Sequence, residues 1–490
     1  MACKFTPTFI AEFPLRTTEA DEVELSVRME AARHIYNACL GESLRRLALM
    51  RESKAWQAAR KLPKKKRTEA FKATLEKFGF SPASIQKFAE QCRDACWIGD
   101  HLGSHDTQTT SLRAFKAVQQ YMFGKHGRPR FKGYNRLHSV EGKANDVVRF
   151  RVVHEVPMIL WAGLVLPLLL DPQDRGGWQA QALKCRTKYV RILRRTIGTT
   201  TRWYCQLIQE GTAPRKARHP TGDGTVGLDI GPSTIAIVAQ DTAQLETFCA
   251  GIEPPARRIK LIQRAMDRSR RATNPQAYNP NGTHRRGARA TTKSKRYRTL
   301  AAGKADLERR LAAERKCAQG ELANRVLALG NTVKTEAVSY KSFQRNFGRS
   351  VQCRAPGMFI SILKRKAESA GASVTEFSTY HTKLSQFDHM TGQCKKKPLS
   401  QRYHEFPDGT RVQRDLYSAW LARYVEHDRL DVSQLKTDWA AAEPLLRQAA
   451  SSFNQSASRG GSANPYGPDR QSGSSVKEVK PFRRGHGGVA

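Results

Sequence analysis

Acidic residues are scarce for the size of the chain: its 490 residues carry 44 Asp and Glu against 84 Lys and Arg, a formal charge of +40 and an isoelectric point near 10.2. A free monomer so charged repels itself, so a polyanion is its natural counterpart. Nucleic acid comes first. An anionic membrane surface fits less well, because the basic residues run through the whole chain and are not gathered on one amphipathic segment. Long apolar runs are missing too. The longest, residues 157–170 (PMILWAGLVLPLLL), falls short of the roughly 20 residues of a spanning helix, contains an internal proline and ends before an aspartate, so it reads as core strands. The opening MACKFTPTFIAEF has no signal-peptide h-region or cleavage site, which predicts a soluble, cytoplasmic protein, nucleoid-associated when bound to DNA. Nor is there a disulfide framework: the ten cysteines are scattered, often through helix-like and strand-like stretches, as at Cys39 and Cys205, and read as reduced, mostly packed thiols. Cys92 and Cys96 share a helix face and read as a packed pair.

What is present is length enough for two to four domains. Residues 4–15 alternate as a strand within a first segment 1–20, and 21–126 turn helical, with Met29, Ile35, Leu40 and Leu44 on one face and a basic turn, LPKKKR. Residues 127–215 hold short β-like runs (VVRFRVV, KYVRILRRTI, RWYCQLIQEG) that predict a small barrel or sheet, to which the lone N-terminal strand would add an edge. A basic, proline-containing linker follows. From Thr225 the order is strand (TVGLDIG), strand (TIAIVAQD), short strand (LETFCAG), long Arg-rich helices broken by the loop NPQAYNPNGTHRRG, strand (VKTEAVSY), helix, strand (ASVTEFST), an irregular segment and a last helix (RDLYSAWLARYV). Three consecutive strands followed by alternating strand and helix is the element order of the RNase H-like fold. The Ser-, Gly- and Asn-rich tail predicts disorder, so 431–490 is taken as a largely disordered extension.

Three carboxylates stand out in that frame. Asp229 interrupts the first apolar strand, Glu336 lies in the fourth, and Asp415 opens the last helix. Neighbouring first and fourth strands would set Asp229 beside Glu336. Like charges so close oppose joint ionisation unless a cation sits between them; a hard divalent ion, most simply Mg²⁺, resolves the conflict through oxygen ligands and can activate water against a phosphodiester. Singly, each has an ordinary reading: a turn aspartate before glycine, an edge glutamate, a helix N-terminal charge. The GxDxG pattern also matches the phosphate loop of actin-like and sugar-kinase ATPases, but that reading needs a second Gly-rich loop downstream, and none is there.

These residues carry a resemblance. Through IYNACL, PRFKGY, GLDIGPSTIAIV, the NPQAYNPNGTHRRG loop, TEAVSYKSFQRNFGRSVQCRAPGMFISILKRKAESAG and KKPLSQRYHEFPDGTRVQRDLYSAW, the chain resembles the transposon-encoded TnpB proteins and the compact type V CRISPR effectors related to them, over most of residues 1–430. The resemblance implies an α/β multi-domain protein: a RuvC nuclease domain of RNase H-like fold at 221–378, with a basic helical insertion, completed by 411–430; a helical recognition domain at 21–126; and a small β-barrel wedge domain from 1–20 and 127–215. It implies Asp229, Glu336 and Asp415 as the Mg²⁺-binding catalytic triad. The family's zinc ribbon has degenerated here at 379–410, where only Cys394 remains and Asp388, Thr391, Phe406 and Asp408 stand near expected cysteine positions; zinc is not expected, the alternative being a site assembled from His389, Cys394 and His404 with Asp388.

Such proteins leave sequence reading to base pairing and themselves recognise duplex shape and a short adjacent motif. The implied function is an RNA-guided DNA endonuclease with guide RNA and double-stranded target DNA as partners, no membrane, and no assigned oligomeric state. The alternative is a guided DNA-binding protein with little or no cleavage; a DNA-strand transferase is not what the resemblance implies. Arg130, Lys132, Tyr134, Lys188 and Arg191 are candidate nucleic-acid contacts. So are Arg264, Arg268 and Arg271, then Lys295 and Arg296, on the Arg-rich helices, the first of which has only Asp267 as an acidic partner.

Overall fold

The computed structural model describes residues 6–459 apart from 175, 253–254, 289–291 and 399–400. The chain forms two compact units: one combines the chain up to Pro220 with Pro255–Leu311, the other Thr221–Pro254 with the chain from Ala312.

In the first unit, β1 (Thr8–Pro14) leads into α1 (Glu19–Glu52), followed by α2 (Lys54–Lys61), α3 (Lys64–Lys77), α4 (Pro82–Asp94) and α5 (Ser104–Met122). A capping box starts α1: the Thr18 hydroxyl accepts from the Asp21 N–H while the Asp21 carboxylate accepts from the Thr18 N–H. Leu25, Met29, Ala32, Tyr36, Cys39, Ser43, Leu47 and Met50, spaced three or four apart, form its buried stripe. Buried Arg28 ties α1 to the β-region, donating 2.5 and 2.8 Å hydrogen bonds to the carbonyls of Trp161 and Ala162.

That region holds β2 (Ser139–Glu141), β3 (Val148–Val153), β4 (Val156–Trp161), β5 (Leu164–Pro167), α6 (Trp178–Lys184), β6 (Thr187–Ile197) and β7 (Thr200–Glu210). The N-terminal strand does join it, pairing antiparallel with β7. The expected barrel is a correction: no closed barrel occurs among the described residues. Instead the order β1-β7-β6-β2 makes an open four-stranded sheet, and β3-β4-β5 form a separate antiparallel sheet. The reason lies in lengths and pairing, since three-residue β2 ends the long β6–β7 hairpin and β3 pairs with β4. The apolar run at 157–170 becomes β4 and β5, joined at Ala162 and Gly163, whose positive φ values of 43° and 88° suit a two-residue hairpin turn. Helix α7 (Ala256–Thr273) and the start of α8 (Lys295–Leu329), expected as an insertion in the nuclease domain, group with this unit.

The second unit is built on β8 (Thr225–Ile230), β9 (Thr234–Val238), β10 (Ala243–Thr247), β11 (Thr332–Glu336) and β12 (Ser373–Phe377). Their order is β10-β9-β8-β11-β12; the first three pair antiparallel, and β11 runs parallel to both β8 and β12. Helices α9 (Tyr340–Arg354) and α10 (Pro356–Ser369) connect β11 to β12; α11 (Thr379–Thr382) and the short hairpin β13 (Tyr403–Glu405) and β14 (Arg411–Gln413) precede α12 (Arg414–Ala422). Helix α12 lies against β8 so closely that a Cβ on Gly227 would stand 1.9 Å from the Ala419 carbonyl oxygen. The segment expected to begin a disordered extension forms α13 (Val432–Arg459), whose Leu435, Ala442, Leu446, Ala449 and Phe453 are buried at helical spacing; residues from 460 lie outside the described residues. Every described cysteine is free, and no helix among the described residues is long and apolar enough to cross a membrane.

Candidate active site and nucleic-acid surface

Strand β8 buries Val226, Gly227, Leu228 and Ile230 and leaves Asp229 half-buried at the sheet surface. Its parallel register with β11 pairs Leu228 with Thr335, so Asp229 and Glu336, one step further along each strand, reach the same face side by side. Asp415 arrives from α12, whose N-cap Gln413 accepts a 2.7 Å hydrogen bond from the Leu416 N–H and fixes the helix start. The Thr234 hydroxyl on β9 stands 3.5 Å from Asp415 Oδ2, and Arg414 Nε is 3.9 Å from Asp415 Oδ1.

The electrostatics couple these groups. Burial pushes Asp229 well above the usual carboxylate range, Asp415 and Glu336 push it further, and Arg414 acts the other way. Burial raises Glu336 to about 6 against a hydrogen bond from the Leu384 backbone N–H. Tyr340 is raised by burial, with Glu376, Asp229 and Glu336 adding to the effect. By chemistry the donor set fits a hard cation, being all oxygen and anionic when ionised. By spacing it stands open: among the described residues no three His, Cys, Asp or Glu side chains are arranged to hold an ion. Closure on a cation would therefore need the carboxylate side chains to move.

The segment expected as a degenerate ribbon is filled with rings. Asp388 accepts from the N–H groups of Met390 and Thr391, and Asp408 from that of Thr410, so both aspartates shape tight turns. His389 is buried between Phe406, Trp420 and Trp439, with ring centroids 5.3, 5.3 and 4.5 Å away, and its Nδ1 lies 2.8 Å from the Tyr417 hydroxyl. Burial brings it down to about 4. His404 packs on Phe406 and Tyr417 and bonds Lys397 and Asp388; Cys394 is exposed. None of this was legible in spacing, because the cluster draws on four separate segments.

The sequence-predicted nucleic-acid contacts divide. Arg130 and Tyr134 are exposed, Tyr134 at 75%, on a loop held to α1 by a pair of 2.8 Å hydrogen bonds between Asn37 and the Lys132 backbone. Phe131, 59% exposed on that loop, was missed although it lies between two of the predicted residues. Lys132 is half-buried, its ammonium 5.8 Å from the Tyr36 ring. Lys188 reaches the Thr6 carbonyl at 3.4 Å. Arg191 is satisfied internally, 2.6 Å from Glu141 and 2.9 Å from Gln206, which gives it a structural part in the sheet. Arg264, Arg268, Arg271, Lys295 and Arg296 are all exposed, and α7 buries no residue at all. The loop after α7 is clamped by buried Asn274, whose side chain bonds the Arg270 carbonyl and both backbone groups of Thr292.

No family model matches the chain, and no curated protein matches it. Among solved structures, the chain is similar to a Cas12f1–sgRNA–target DNA complex determined by cryo-EM (TM-score 0.42, 11% identity, 84% of this chain and 98% of that one). It is also similar to a CRISPR-Cas12f ternary complex (TM-score 0.27, 13% identity, 82% of each chain).

Proposed function

We propose that the second unit is a RuvC-type nuclease domain of RNase H-like fold and that the protein is an RNA-guided DNA endonuclease. The observation that carries this reading is the convergence of Asp229, Glu336 and Asp415 on one sheet face, with Asp229 feeling both partners. In this reading Asp229, Glu336 and Asp415 hold Mg²⁺, which when bound supplies water activation and stabilises the leaving oxygen of a phosphodiester. Arg414 balances the local negative charge and Gln413 fixes the angle at which Asp415 enters. Guide RNA and double-stranded target DNA are the partners, and the exposed cationic face of α7 and the start of α8 takes their phosphates. Zinc has no part in it. Work in the cytoplasm on nucleoid DNA follows from those partners.

A second reading, a guided DNA-binding protein with little or no cleavage, draws on the open spacing of the carboxylates. The deciding experiment copurifies the protein with its RNA and incubates it with matching linear DNA, with and without Mg²⁺. Mg²⁺-dependent cutting supports the nuclease; bound but uncut DNA leaves the binder. Asp229→Ala should abolish cutting and leave DNA binding within about twofold, and retained cleavage would remove Asp229 from the site.

A further inference from the structure

We propose that the cleft enclosed by the end of α1 with α2 and α3 binds one unpaired nucleotide of a nucleic-acid strand, its base against Trp56 and Phe71 and its phosphate on Arg51, Arg60 and Arg67. The proposal rests on the nucleic-acid reading above and gives it a separate site in the first unit. The cleft measures about 670 Å³ and is lined by Arg51, Trp56, Gln57, Arg60, Arg67 and Phe71. That is space for a nucleotide, within the few hundred to about 1,000 Å³ of small-ligand sites.

Its walls supply both halves of nucleotide recognition. Trp56 and Phe71 pack at 4.4 Å between centroids with their planes 49° apart, and both stay half-exposed, so ring surface is left for a base. Three guanidiniums line the same cleft. Arg51 lies 5.2 Å from the Tyr121 ring, and Arg67 Nε donates to the Leu62 carbonyl at 3.1 Å, which orients each group. Among the described residues none of the three pairs with a carboxylate, unlike Arg45 and Arg46 one turn earlier on α1, which share Glu42. Gln57 is steadied by its 2.8 Å hydrogen bond to the Arg51 carbonyl and adds an amide edge.

The start of α3 points the same way. Its N-cap is Pro63, with no side-chain cap, its first turn contains no acid, and Lys64, Lys65, Lys66 and Arg67 follow in succession. Cations at a helix N-terminus work against the macrodipole, and an anion seated there relieves them while accepting from the free N–H groups. An acidic peptide would satisfy the charges but leave the rings unused; an unpaired nucleotide uses both. Duplex would offer phosphates but keep its bases stacked away from Trp56 and Phe71.

The test uses the full-length protein with a short single-stranded RNA, the same sequence as single-stranded DNA, and the matching duplex. Ultraviolet cross-linking followed by peptide mass spectrometry should place a nucleotide on Trp56 or Phe71 with at least one single strand, and the two arms show whether the strand is RNA or DNA. Arg60→Gln with Arg67→Gln, both exposed side chains, should weaken that strand about tenfold, remove the cross-link, and leave the thermal unfolding temperature unchanged. The slope of log affinity against log salt should fall by about 0.7 for each phosphate that the variant no longer neutralises. Trp56→Phe should keep the binding. No cross-link at either ring with RNA or DNA overturns the proposal, as does a double variant that weakens duplex as much as single strand. Cleavage measured in the same preparations keeps the two readings apart: cutting without the cross-link sinks the cleft alone, and the cross-link without cutting sinks the nuclease alone.

Discussion

At Asp229 the protein keeps a carboxylate where burial, Asp415 and Glu336 all oppose its ionisation and Arg414 alone favours it. Removing that charge while keeping the shape relieves the conflict. Asp229→Asn should therefore raise the unfolding temperature in chelator at neutral pH, on a scale where each 1 kcal/mol is about 2–4 °C in a domain of this size. On the metal site proposed above, added Mg²⁺ should stabilise the parent and not the variant, which calorimetry reads directly. His389 makes the converse case. Burial lowers it from 6.5 to about 4, with Asp388 and Asp408 acting upward and His404 and Lys436 downward. The folded state holds the imidazole neutral while the unfolded chain protonates it near 6.5, so its contribution is complete above that pH and drains away as pH falls toward 4. Up to about 3 kcal/mol is at stake. Acid unfolding between pH 7 and 4 should be shallower in His389→Phe, which keeps a ring among Phe406, Trp420 and Trp439.

At the scale of elements, the packing of α12 on β8 sets the site, and Gly227 is what allows it. A Cβ there would meet the Ala419 carbonyl oxygen at 1.9 Å and the Arg423 side chain at 3.1 Å, so the strand or the helix would have to move. Gly227→Ala should destabilise the protein by about 3 kcal/mol or more, at the upper end for overpacking, and, on the nuclease reading proposed above, should lose cleavage with it because α12 carries Asp415. Thermal unfolding and cutting assays check both. The glycine was visible in GLDIG, but its reason was not, since the helix that approaches it lies almost 200 residues downstream. Local signals were legible: apolar runs gave β8, β9 and β11, and the element order set β8 beside β11. Pairings between distant segments were not. Barrel closure depended on which strand met β2, the partner of Arg191 is Glu141, 50 residues away, and the rings around His389 converge from separate stretches. Helix α13 was missed for another reason: the small polar residues of its end hid the spacing of Leu435, Ala442 and Leu446.

Over the whole molecule, a charge of +40 needs a partner of opposite sign. Six to ten neutralised phosphates on a single strand would cost roughly 300-fold to 10,000-fold in affinity between 50 and 200 mM salt. Filter binding of single-stranded RNA over that range should show a loss of this order, and a flat response would count against polyanion binding. Neutralising Arg264, Arg268 and Arg271 with glutamine should lower the salt slope by about 2, since α7 buries no residue and only Arg271 among the three lies over a ring, that of Tyr278 at 6.0 Å. The rings around His389 have a consequence of another kind. Trp420 and Trp439 lie 5.1 Å apart, and Tyr417 stacks on Trp420 at 5.8 Å. Transition dipoles this close couple, so their near-ultraviolet circular dichroism depends on ring orientation. Because Tyr417 and Trp420 ride on α12, the helix that begins beside Asp415, the protein carries its own optical gauge. A shift of that helix registers in that band without an attached dye.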